Sequence, residues 1–423
     1  MIFAVPLAWL QLTYEKSRLL VAIAGISFAV ILMFMQIGFR DALFTSAVRM
    51  QSNLVGDLVL ISPQSTNLVG MRNFSERRTF QAMAVDGVES VNSLYIGLGA
   101  WKIKEDATGQ TRNILILGGD PDAKIFKMPG INAENLSLIK QQDVVLFDRG
   151  SRFVPNSAVP HGFDGFGPVV KECGVDALKT QTTPESFRCP NFVTREVANR
   201  KLIIGGLFEL GASFAADGTI ITSDANFLRI LDNRRKGLIN LSLISVDPSL
   251  KVKDNPDLTR QNIDRVKQQL AAIMPNDVKV LTMEGFIEFE RGYWQRSTAI
   301  GFIFSLGTVM GFIVGIVIVY QILYTDVSDH LAEYATLKAM GYNNFFLSKV
   351  VLQEAVVLSV LGFFPGMFIS MGLYNLTQNA TRLPLYIWDK AIPILGLTVV
   401  MCTISGAISL RRVQSADPAE IFG

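Results

Sequence analysis

The sequence has few of the residues from which most catalytic centres are built. Its 423 residues include two histidines, His161 and His330, and three cysteines. Two histidines do not readily assemble a His-based metal cluster or a Ser-His-Asp triad. Asp164, Glu172 and Asp176 are carboxylates that a fold could pair, so an enzyme stays open as a competing class of function.

A phosphate-binding loop is also missing. Lysine never follows glycine in this chain, which excludes the G-x-x-x-x-G-K-[ST] loop that cradles nucleotide phosphates. Charged residues make up 18% of the chain, and the net charge is +2. A near-neutral chain gives no indication of nucleic-acid binding.

Hydrophobic residues are abundant, at 49% of the chain. They gather in four uncharged runs, each about 20 residues or longer, the length of helix that crosses a hydrocarbon core of roughly 30 Å. The runs are Leu19 to Gly38, Ser297 to Tyr324, Ala355 to Leu376, and Ala391 to Leu410. The first lacks the short apolar core and the small-residue cleavage site of a signal peptide. The sequence therefore predicts an integral membrane protein with four transmembrane helices.

The charges that flank these runs predict the orientation. Lys16 and Arg18 precede the first run, and Arg411 and Arg412 follow the last. Because positively charged flanks tend to stay in the cytoplasm, both termini are predicted to be cytoplasmic. Residues 41–296 would then lie on the opposite side of the membrane.

The segment between the first two runs has the pattern of a folded α+β domain. After Pro256, Ile263, Val266 and Leu270 fall on one helical face. Six short runs between glycines and prolines are typical of strands: Asp57 to Ile61, Asn113 to Leu117, Asp143 to Phe147, Lys201 to Ile204, Gly218 to Thr222, and Leu238 to Val246. The predicted fold is an integral membrane α-helical protein with four transmembrane helices and a large α+β domain between helices 1 and 2.

Two of the cysteines lie in this domain. Cys173 and Cys189 belong to residues 151–192, a loop-rich segment with no clear period. Outside the cytoplasm they would meet an oxidising compartment, so a disulfide is predicted. The alternative is two unpaired buried thiols, because spacing alone does not bring two Cβ atoms to bonding distance. Cys402 lies inside the fourth run and is expected to pack there.

These patterns divide the chain into nine predicted segments. They are a cytoplasmic interfacial helix (1–18), transmembrane helix 1 with the start of a stalk (19–40), the outer α+β domain with the stalk ends (41–296), helix 2 (297–324), a cytoplasmic loop (325–346), helix 3 (347–376), an outer loop (377–390), helix 4 (391–410) and a cytoplasmic tail (411–423). No proline separates residues 283–295 from the second run, so one continuous helix is expected there. Two helices leaving the membrane together would form a stalk that carries movement.

The second run contains a repeated glycine. Gly307, Gly311 and Gly315 recur every four residues and so align on one helix face, where another backbone can approach closely. This face predicts helix packing, either within one chain or across a dimer axis.

The loop at 325–346 has the most specific pattern in the chain. It contains Asp329-His330-Leu331-Ala332-Glu333-Tyr334, followed by Leu337-Lys338-Ala339-Met340-Gly341. Helical spacing of the apolar residues and a final glycine, which easily adopts the left-handed conformation, predict a short amphipathic helix that ends at Gly341.

This loop resembles a known family. Glu333, Leu337, Lys338, Ala339 and Gly341, with Glu354-Ala355 further on, are similar to the E-x-x-x-L-K/R-A-x-G and E-A pattern of FtsX/MacB-type permeases of ABC transporters. Residues 11–22 and 32–39 resemble the DevC branch of that family, found in cyanobacteria. The order of one span, a large domain and three spans is also similar, so the resemblance extends over essentially the whole chain.

The resemblance implies a non-catalytic permease subunit of a tripartite ABC exporter. The implied protein is a homodimer in a bacterial, here cyanobacterial, inner membrane, with a MacB-like periplasmic domain. Its implied partners are an ABC ATPase subunit of the DevA type, a periplasmic adaptor (a membrane fusion protein of the DevB type) and a TolC-like outer-membrane protein. ATP and Mg²⁺ are expected on the ATPase, and no cofactor or metal on this chain. The implied cargo is lipid-like, with glycolipid as the candidate.

The same resemblance assigns a role to the loop. It implies that the helix docks into the ATPase and that the coupling residues are Asp329, Glu333, Tyr334, Leu337, Lys338 and Gly341. The alternative for Glu333 is a solvated surface carboxylate. Two other functions stay open: an FtsX-like mechanotransmitter that regulates a periplasmic cell-wall hydrolase, and a permease that extracts lipoproteins.

Overall fold

The computed structural model describes residues 16–102, 111–151, 169–174, 187–211, 213, 216–381 and 386–414. The chain divides into two compact units. The helical unit joins Met1–Ala42 to Ala299–Gly423, and the α+β unit is Leu43–Thr298. The predicted interfacial helix at residues 1–18 lies almost wholly outside the described residues, as do His161, Asp164 and Asp176.

Twelve α-helices occur among the described residues. They are α1 (Lys16–Ala47), α2 (Arg49–Ser52), α3 (Arg77–Met83), α4 (Ala133–Leu138), α5 (Val169–Glu172), α6 (Asp224–Ile230), α7 (Pro256–Ile273), α8 (Met283–Arg296), α9 (Ala299–Asp329), α10 (Leu331–Ala339), α11 (Asn344–Thr381) and α12 (Trp388–Gln414).

Eleven strands occur among the described residues. They are β1 (Leu58–Ile61), β2 (Phe74–Ser75), β3 (Val88–Lys102), β4 (Thr111–Gly119), β5 (Val144–Asp148), β6 (Arg188–Val197), β7 (Arg200–Phe208), β8 (Thr219–Ser223), β9 (Leu238–Ile239), β10 (Leu241–Val246) and β11 (Lys279–Thr282). Each of the six predicted strand-like runs overlaps a strand, and the last run contains two.

Four helices, α1, α9, α11 and α12, are long and apolar enough to cross a membrane. They coincide with the four predicted spans, and the α+β unit is inserted between the first and the second of them. The predicted fold class is therefore confirmed. With its 32 residues, α1 is about 48 Å long, which exceeds a hydrocarbon core of roughly 30 Å.

Glycines in α11 let this helix approach α1 closely. A Cβ atom at Gly362 would lie 2.5 Å from Ile26. One at Gly366 would lie 2.8 Å from Val30 and 2.9 Å from the backbone oxygen of Ser27. The Ser27 hydroxyl also donates a hydrogen bond to the Gly362 carbonyl, at 2.8 Å. Close packing and interhelical hydrogen bonds of this kind hold helices together in a bilayer.

The chain between α8 and α9 differs from the prediction of one continuous helix. α8 ends at Arg296 and α9 begins at Ala299. The Ser297 N–H bonds to the Tyr293 carbonyl at 2.8 Å, and the Thr298 hydroxyl donates to the Trp294 carbonyl at 2.6 Å. Hydroxyls that bond to carbonyls one turn back compete with helix propagation. The prediction of an unbroken helix at this point is therefore wrong.

The α+β unit is built on a nine-stranded mixed sheet with the order β11-β1-β10-β3-β4-β8-β5-β7-β6, beside a small β2-β9 pair. β4 pairs with β8, and β5 with β7, in parallel. The 15 residues of β3 pair with β10 at one end and β4 at the other. The sheet curls until β6 meets β3, where Trp101 pairs with Val197.

Both faces of this sheet are buried. Successive side chains of a strand point to opposite faces, so a strand that is buried throughout contributes to two cores. In β1, Leu58 and Leu60 belong to one apolar cluster, whereas Val59 and Ile61 belong to another. Residues of α6 and α7 complete the first cluster, and residues of α2 and α8 complete the second.

Candidate coupling site

The short helix α10 forms in the loop between α9 and α11, where the sequence predicts it. It ends at the predicted glycine, because Gly341 has a φ of +93°, in the left-handed region that favours glycine. The Tyr342 N–H bonds to the Leu337 carbonyl at 3.1 Å, and the Gly341 N–H bonds to the Lys338 carbonyl at 3.0 Å. These two bonds form a Schellman motif, which satisfies the last carbonyls of the helix.

Two residues of α10 are packed inside the helical unit. Ala335 is fully buried. Leu337 is half-buried and packs against a cluster of Val327, Leu347 and Val351, which belong to α9 and α11. Leu337 therefore anchors α10 to the ends of two spans. Movement of α10 would be passed directly to both.

Other residues of α10, and of the chain that follows it, are exposed. Glu333 is exposed, and so are three large apolar residues at the end of the loop: Met340 (63%), Tyr342 (46%) and Phe345 (77%). We call these four residues the α10 patch. The sequence analysis selected only Glu333, although the closely spaced Met340, Tyr342 and Phe345 within a polar loop were a usable signal.

Two more predicted coupling residues have defined positions. Asp329, the last residue of α9, forms an ion pair with Arg18 of α1 at 2.6 Å. Both side chains are about two-fifths exposed, so the pair is worth at most about 1 kcal/mol. Lys338 is half-buried on α10. Tyr334 belongs to α10, but its side chain is not among those that the structure describes.

The three glycines of α9 face other helices of the same chain. A Cβ atom at Gly307 would lie 2.6 Å from Gln36, and one at Gly311 would lie 3.6 Å from Leu32. One at Gly315 would meet Met401 of α12 and lie 3.0 Å from Ala29. The structure shows packing within one chain, against α1 and α12, and a dimer contact through this face stays a prediction.

The loop and its flanking spans match a known protein family. Residues 303–418 match the family model described as FtsX-like permease C-terminal. This part of the chain is therefore similar to an FtsX-like permease domain. The match covers most of α9 and all of α10, α11 and α12.

Two relatives of this chain come from Mycobacterium tuberculosis. The uncharacterized ABC transporter permeases of strains CDC 1551 / Oshkosh and H37Rv are each 25% identical to this chain over 120 residues. That stretch is 28% of this chain and 33% of each relative. The chain thus spans about a third of the length of these relatives.

Solved structures resemble a little more than half of the chain. The extracellular domain of the noncanonic ABC-type transporter YknZ from Gram-positive bacteria aligns with 54% of this chain and 100% of its own, with a TM-score of 0.30 and 11% identity. The periplasmic region of MacB from Actinobacillus actinomycetemcomitans aligns with 57% of this chain and 94% of its own, with a TM-score of 0.31 and 9% identity. TM-scores this low support no conclusion about function.

The helical unit also contains an ion-pair cluster that the sequence analysis did not select. Lys390, at the start of α12, is 7% exposed. Its Nζ atom lies 3.0 Å from the Asp389 carboxylate and 3.5 Å from that of Asp41 on α1. Buried charges are retained where partners of opposite sign compensate the lost hydration. The cluster joins the start of α12 to the later part of α1.

The remaining predicted residues have structural positions. Cys173 and Cys189 form a disulfide, with Cα atoms 4.5 Å apart, that joins α5 to β6. Cys402 is a buried free cysteine in α12, and Glu354 is fully buried in α11.

Two buried carboxylates in the α+β unit were missed. Asp148, at the end of β5, accepts hydrogen bonds from the backbone N–H groups of Gly150, Leu210 and Gly211. Glu290 accepts from the Leu68 N–H at 2.6 Å and from the Trp294 indole at 2.8 Å. Burial raises the pKa of Asp148 to about 6 and that of Glu290 to about 7.

The raised pKa of Glu290 predicts a pH-dependent stability. A carboxyl with a higher pKa in the folded state contributes stability below its unfolded pKa and loses it as pH rises through the folded value. For Glu290 that window runs from 4.5 to about 7. The α+β unit is expected to lose on the order of 3 kcal/mol from this group between pH 4.5 and 8.

Glu290→Gln is the variant that isolates this effect. The loss of stability between pH 5 and pH 8, measured on the purified chain, should be smaller in the variant than in the wild type. Asp148 acts in the same direction, so the variant should retain part of the pH dependence. An unchanged pH dependence in Glu290→Gln would contradict the assignment to Glu290.

Proposed function

We propose that this chain is the transmembrane permease subunit of an ABC exporter whose ATPase is a separate polypeptide. The observation that carries the proposal is the α10 patch: exposed acidic and apolar residues on a short helix and on the chain just after it, where Leu337 anchors that helix to two spans. The family match to residues 303–418 supports the same conclusion. On this proposal the loop and both termini are cytoplasmic.

The chemistry of the patch suits a protein partner. Apolar and aromatic residues at the centre of an interface, with charge at its edge, are typical of surfaces that bind other proteins. Phe345 and Met340 provide the apolar area, and Glu333 provides the charge. Leu337 packs inward, so it transmits movement and does not contact the ATPase.

The proposed mechanism is mechanical. Closure of the ATPase on ATP would displace α10, and the contacts of Leu337 with Val327 and Val351 would pass that displacement to α9 and α11. α1 is a single helix up to Ala47, whereas Ser297 and Thr298 separate α8 from α9. Both connections lead along the chain to the α+β unit and would carry the displacement. The α+β units would then push cargo outward, and cargo need not pass between the spans.

The finer assignment follows the resemblance to the DevC branch. We propose a homodimeric permease in a cyanobacterial inner membrane that works with a periplasmic adaptor and a TolC-like duct and exports a lipid-like cargo such as a glycolipid. The glycines of α9 are already covered by α1 and α12. The dimer contact is therefore expected on another face.

The α10 patch predicts which variant loses the ATPase. The double variant Met340→Ala, Phe345→Ala removes the two most exposed apolar side chains of the patch. Loss of two central apolar anchors is expected to reduce recovery of the ATPase about tenfold or more. The measurement is affinity purification from the native membrane in mild detergent, followed by quantitative mass spectrometry of the bound proteins.

Trp388→Ala is the matched control, because Trp388 is 70% exposed and lies at the start of α12, away from the loop. It should leave ATPase recovery unchanged, and size-exclusion profiles should be alike for all three proteins. Normal recovery of the ATPase by the double variant would contradict the docking role. Recovery of a cell-wall hydrolase in place of an adaptor would overturn the exporter in favour of a mechanotransmitter.

A further inference from the structure

The α+β unit contains a small acidic cleft, far in the sequence from the residues of the α10 patch. Its volume is about 220 Å³, and α3, β3, the chain after β4 and the start of α6 surround it. Glu76, Asp120 and Asp224 line it, together with Ser93 and Tyr95. We call these five residues the acidic cleft.

The three carboxylates have polar partners but no positive ones. Glu76 accepts from the Ser93 hydroxyl at 3.4 Å. Asp120 accepts from the Asp122 N–H at 2.9 Å, and Asp224 from the Ala225 N–H at 2.7 Å. Within the described part of the chain, none of the three forms an ion pair with lysine or arginine.

Tyr95 is the second, independent feature of the cleft. It is only 5% exposed, and its ring packs on Phe227 with centroids 5.4 Å apart. Tyr95 lines the cleft, and its hydroxyl forms no hydrogen bond with another described residue. Burial and the charges of Glu76 and Asp224 raise the pKa of Tyr95 to about 12. The hydroxyl therefore stays protonated beside two carboxylates.

The rim of the cleft is apolar. Phe80 and Met83, both on α3, are 70% and 51% exposed and line the same cleft. An aromatic ring and a thioether at the mouth suit the alkyl chain of a cationic ligand, and an aromatic face also attracts the cation itself. In the described residues, no group of three or more metal-ligating side chains is placed to hold a metal ion.

We propose that the acidic cleft binds an organic cation with N–H donors, a primary ammonium or guanidinium group on a short alkyl chain. Glu76, Asp120 and Asp224 would supply the negative charge, and the Tyr95 hydroxyl would accept one N–H. The group can come from a free amine or from a lysine or arginine side chain of a protein. This proposal is independent of the exporter function.

The test is a calorimetric titration of the full-length chain in detergent with agmatine, which carries both an ammonium and a guanidinium group. Saturable binding is expected. Glu76→Gln should weaken it about tenfold and Tyr95→Phe about threefold, since each removes one polar contact and keeps the side-chain shape. Glu89→Gln is the control. Glu89 is an exposed residue of β3, the strand that also contains Tyr95, and it does not line the cleft.

Choline is the second probe, because its quaternary ammonium has no N–H donor. It should bind at least about tenfold more weakly than agmatine. N-acetyl-arginine methylamide distinguishes the sources: binding equal to that of agmatine points to a protein side chain, and weaker binding points to a free amine. Equal agmatine affinity in wild type, Glu76→Gln and Tyr95→Phe would overturn the proposal. So would binding that vanishes at moderate salt in all variants, because that is diffuse attraction.

Phe80→Ala tests the site with a substitution that is not expected to disturb folding. Phe80 is exposed, so its removal should leave the unfolding midpoint unchanged and still weaken agmatine binding about threefold. Unaltered binding in this variant, with unaltered binding in Glu76→Gln, would sink the site.

Discussion

Asp148→Ala is expected to lower the free energy of unfolding of the α+β unit by about 3–5 kcal/mol, because it removes the acceptor of three backbone N–H groups and the negative charge beside Arg49. Asp148 is fully buried. Its carboxylate receives the backbone N–H groups of Gly150 and Leu210 at 2.9 Å and that of Gly211 at 3.0 Å. Alanine replaces none of these bonds.

The position of Asp148 makes the expected loss of unfolding free energy larger than three broken hydrogen bonds alone would cause. Asp148 ends β5, and Leu210 and Gly211 follow β7, the strand parallel to β5. Arg49 of α2 donates to the Leu210 carbonyl at 3.2 Å. The carboxylate therefore joins two strand ends to the helix that follows α1, so one substitution loosens three segments.

Asp122→Ala is the matched control. Asp122 pairs with Lys140 at 2.6 Å, but its side chain is 75% exposed, so its loss should cost at most about 1 kcal/mol. The measurement is pulse proteolysis of the purified chain across a urea series, following cleavage within residues 43–298. A midpoint for Asp148→Ala that coincides with that of Asp122→Ala would contradict the role of Asp148.

Much of the fold was predictable because a bilayer restricts the chain so strongly. A spanning segment must satisfy its backbone internally and be apolar over about 20 residues, and four such runs stand out in the sequence. The break at Ser297 and Thr298 was not predictable from the absence of proline. It depends on which carbonyls two hydroxyl groups reach.

Strands were harder to predict where their composition is mixed. The six predicted runs are short and rich in Val, Ile and Leu. β3 was missed because Gly97, Gly99 and several polar residues interrupt it, and these glycines lie where Phe227, Leu231 and Val197 leave no room for a Cβ atom. β6 was missed because it starts inside the segment that had been assigned to loops and contains Pro190.

The candidate site was predictable only in its local features. Gly341 closes α10 as expected, because a left-handed helix end is encoded within a few residues. That Leu337 faces inward and Phe345 outward depends on how α10 packs on Val327 and Leu347. Glu290 was not predictable either, since its partner Leu68 is 222 residues away in the chain.

Gly366→Leu is expected to destabilise the helical unit by about 3 kcal/mol or more. A side chain at this position would collide with backbone atoms of α1, and backbone atoms cannot move aside by changing rotamer as a side chain can. A Cβ atom at Gly366 would lie 2.9 Å from the Ser27 carbonyl oxygen and 2.8 Å from Val30. α1 and α11 would have to separate, and that separation also stretches the Ser27–Gly362 hydrogen bond of 2.8 Å. Helix association inside a bilayer is not driven by the hydrophobic effect, because lipid tails are as apolar as the helices. The lost close packing is therefore not compensated.

The same helix contains the matched control. At Gly372 no atom lies within 4 Å of an added Cβ, so Gly372→Leu should change stability by less than about 0.5 kcal/mol. The measurement is the recovery of monodisperse protein after heating in detergent, at a series of temperatures. Gly366→Leu should aggregate at a clearly lower temperature than both the wild type and Gly372→Leu. Identical curves for the two variants would mean that α1 and α11 do not pack closely at Gly366.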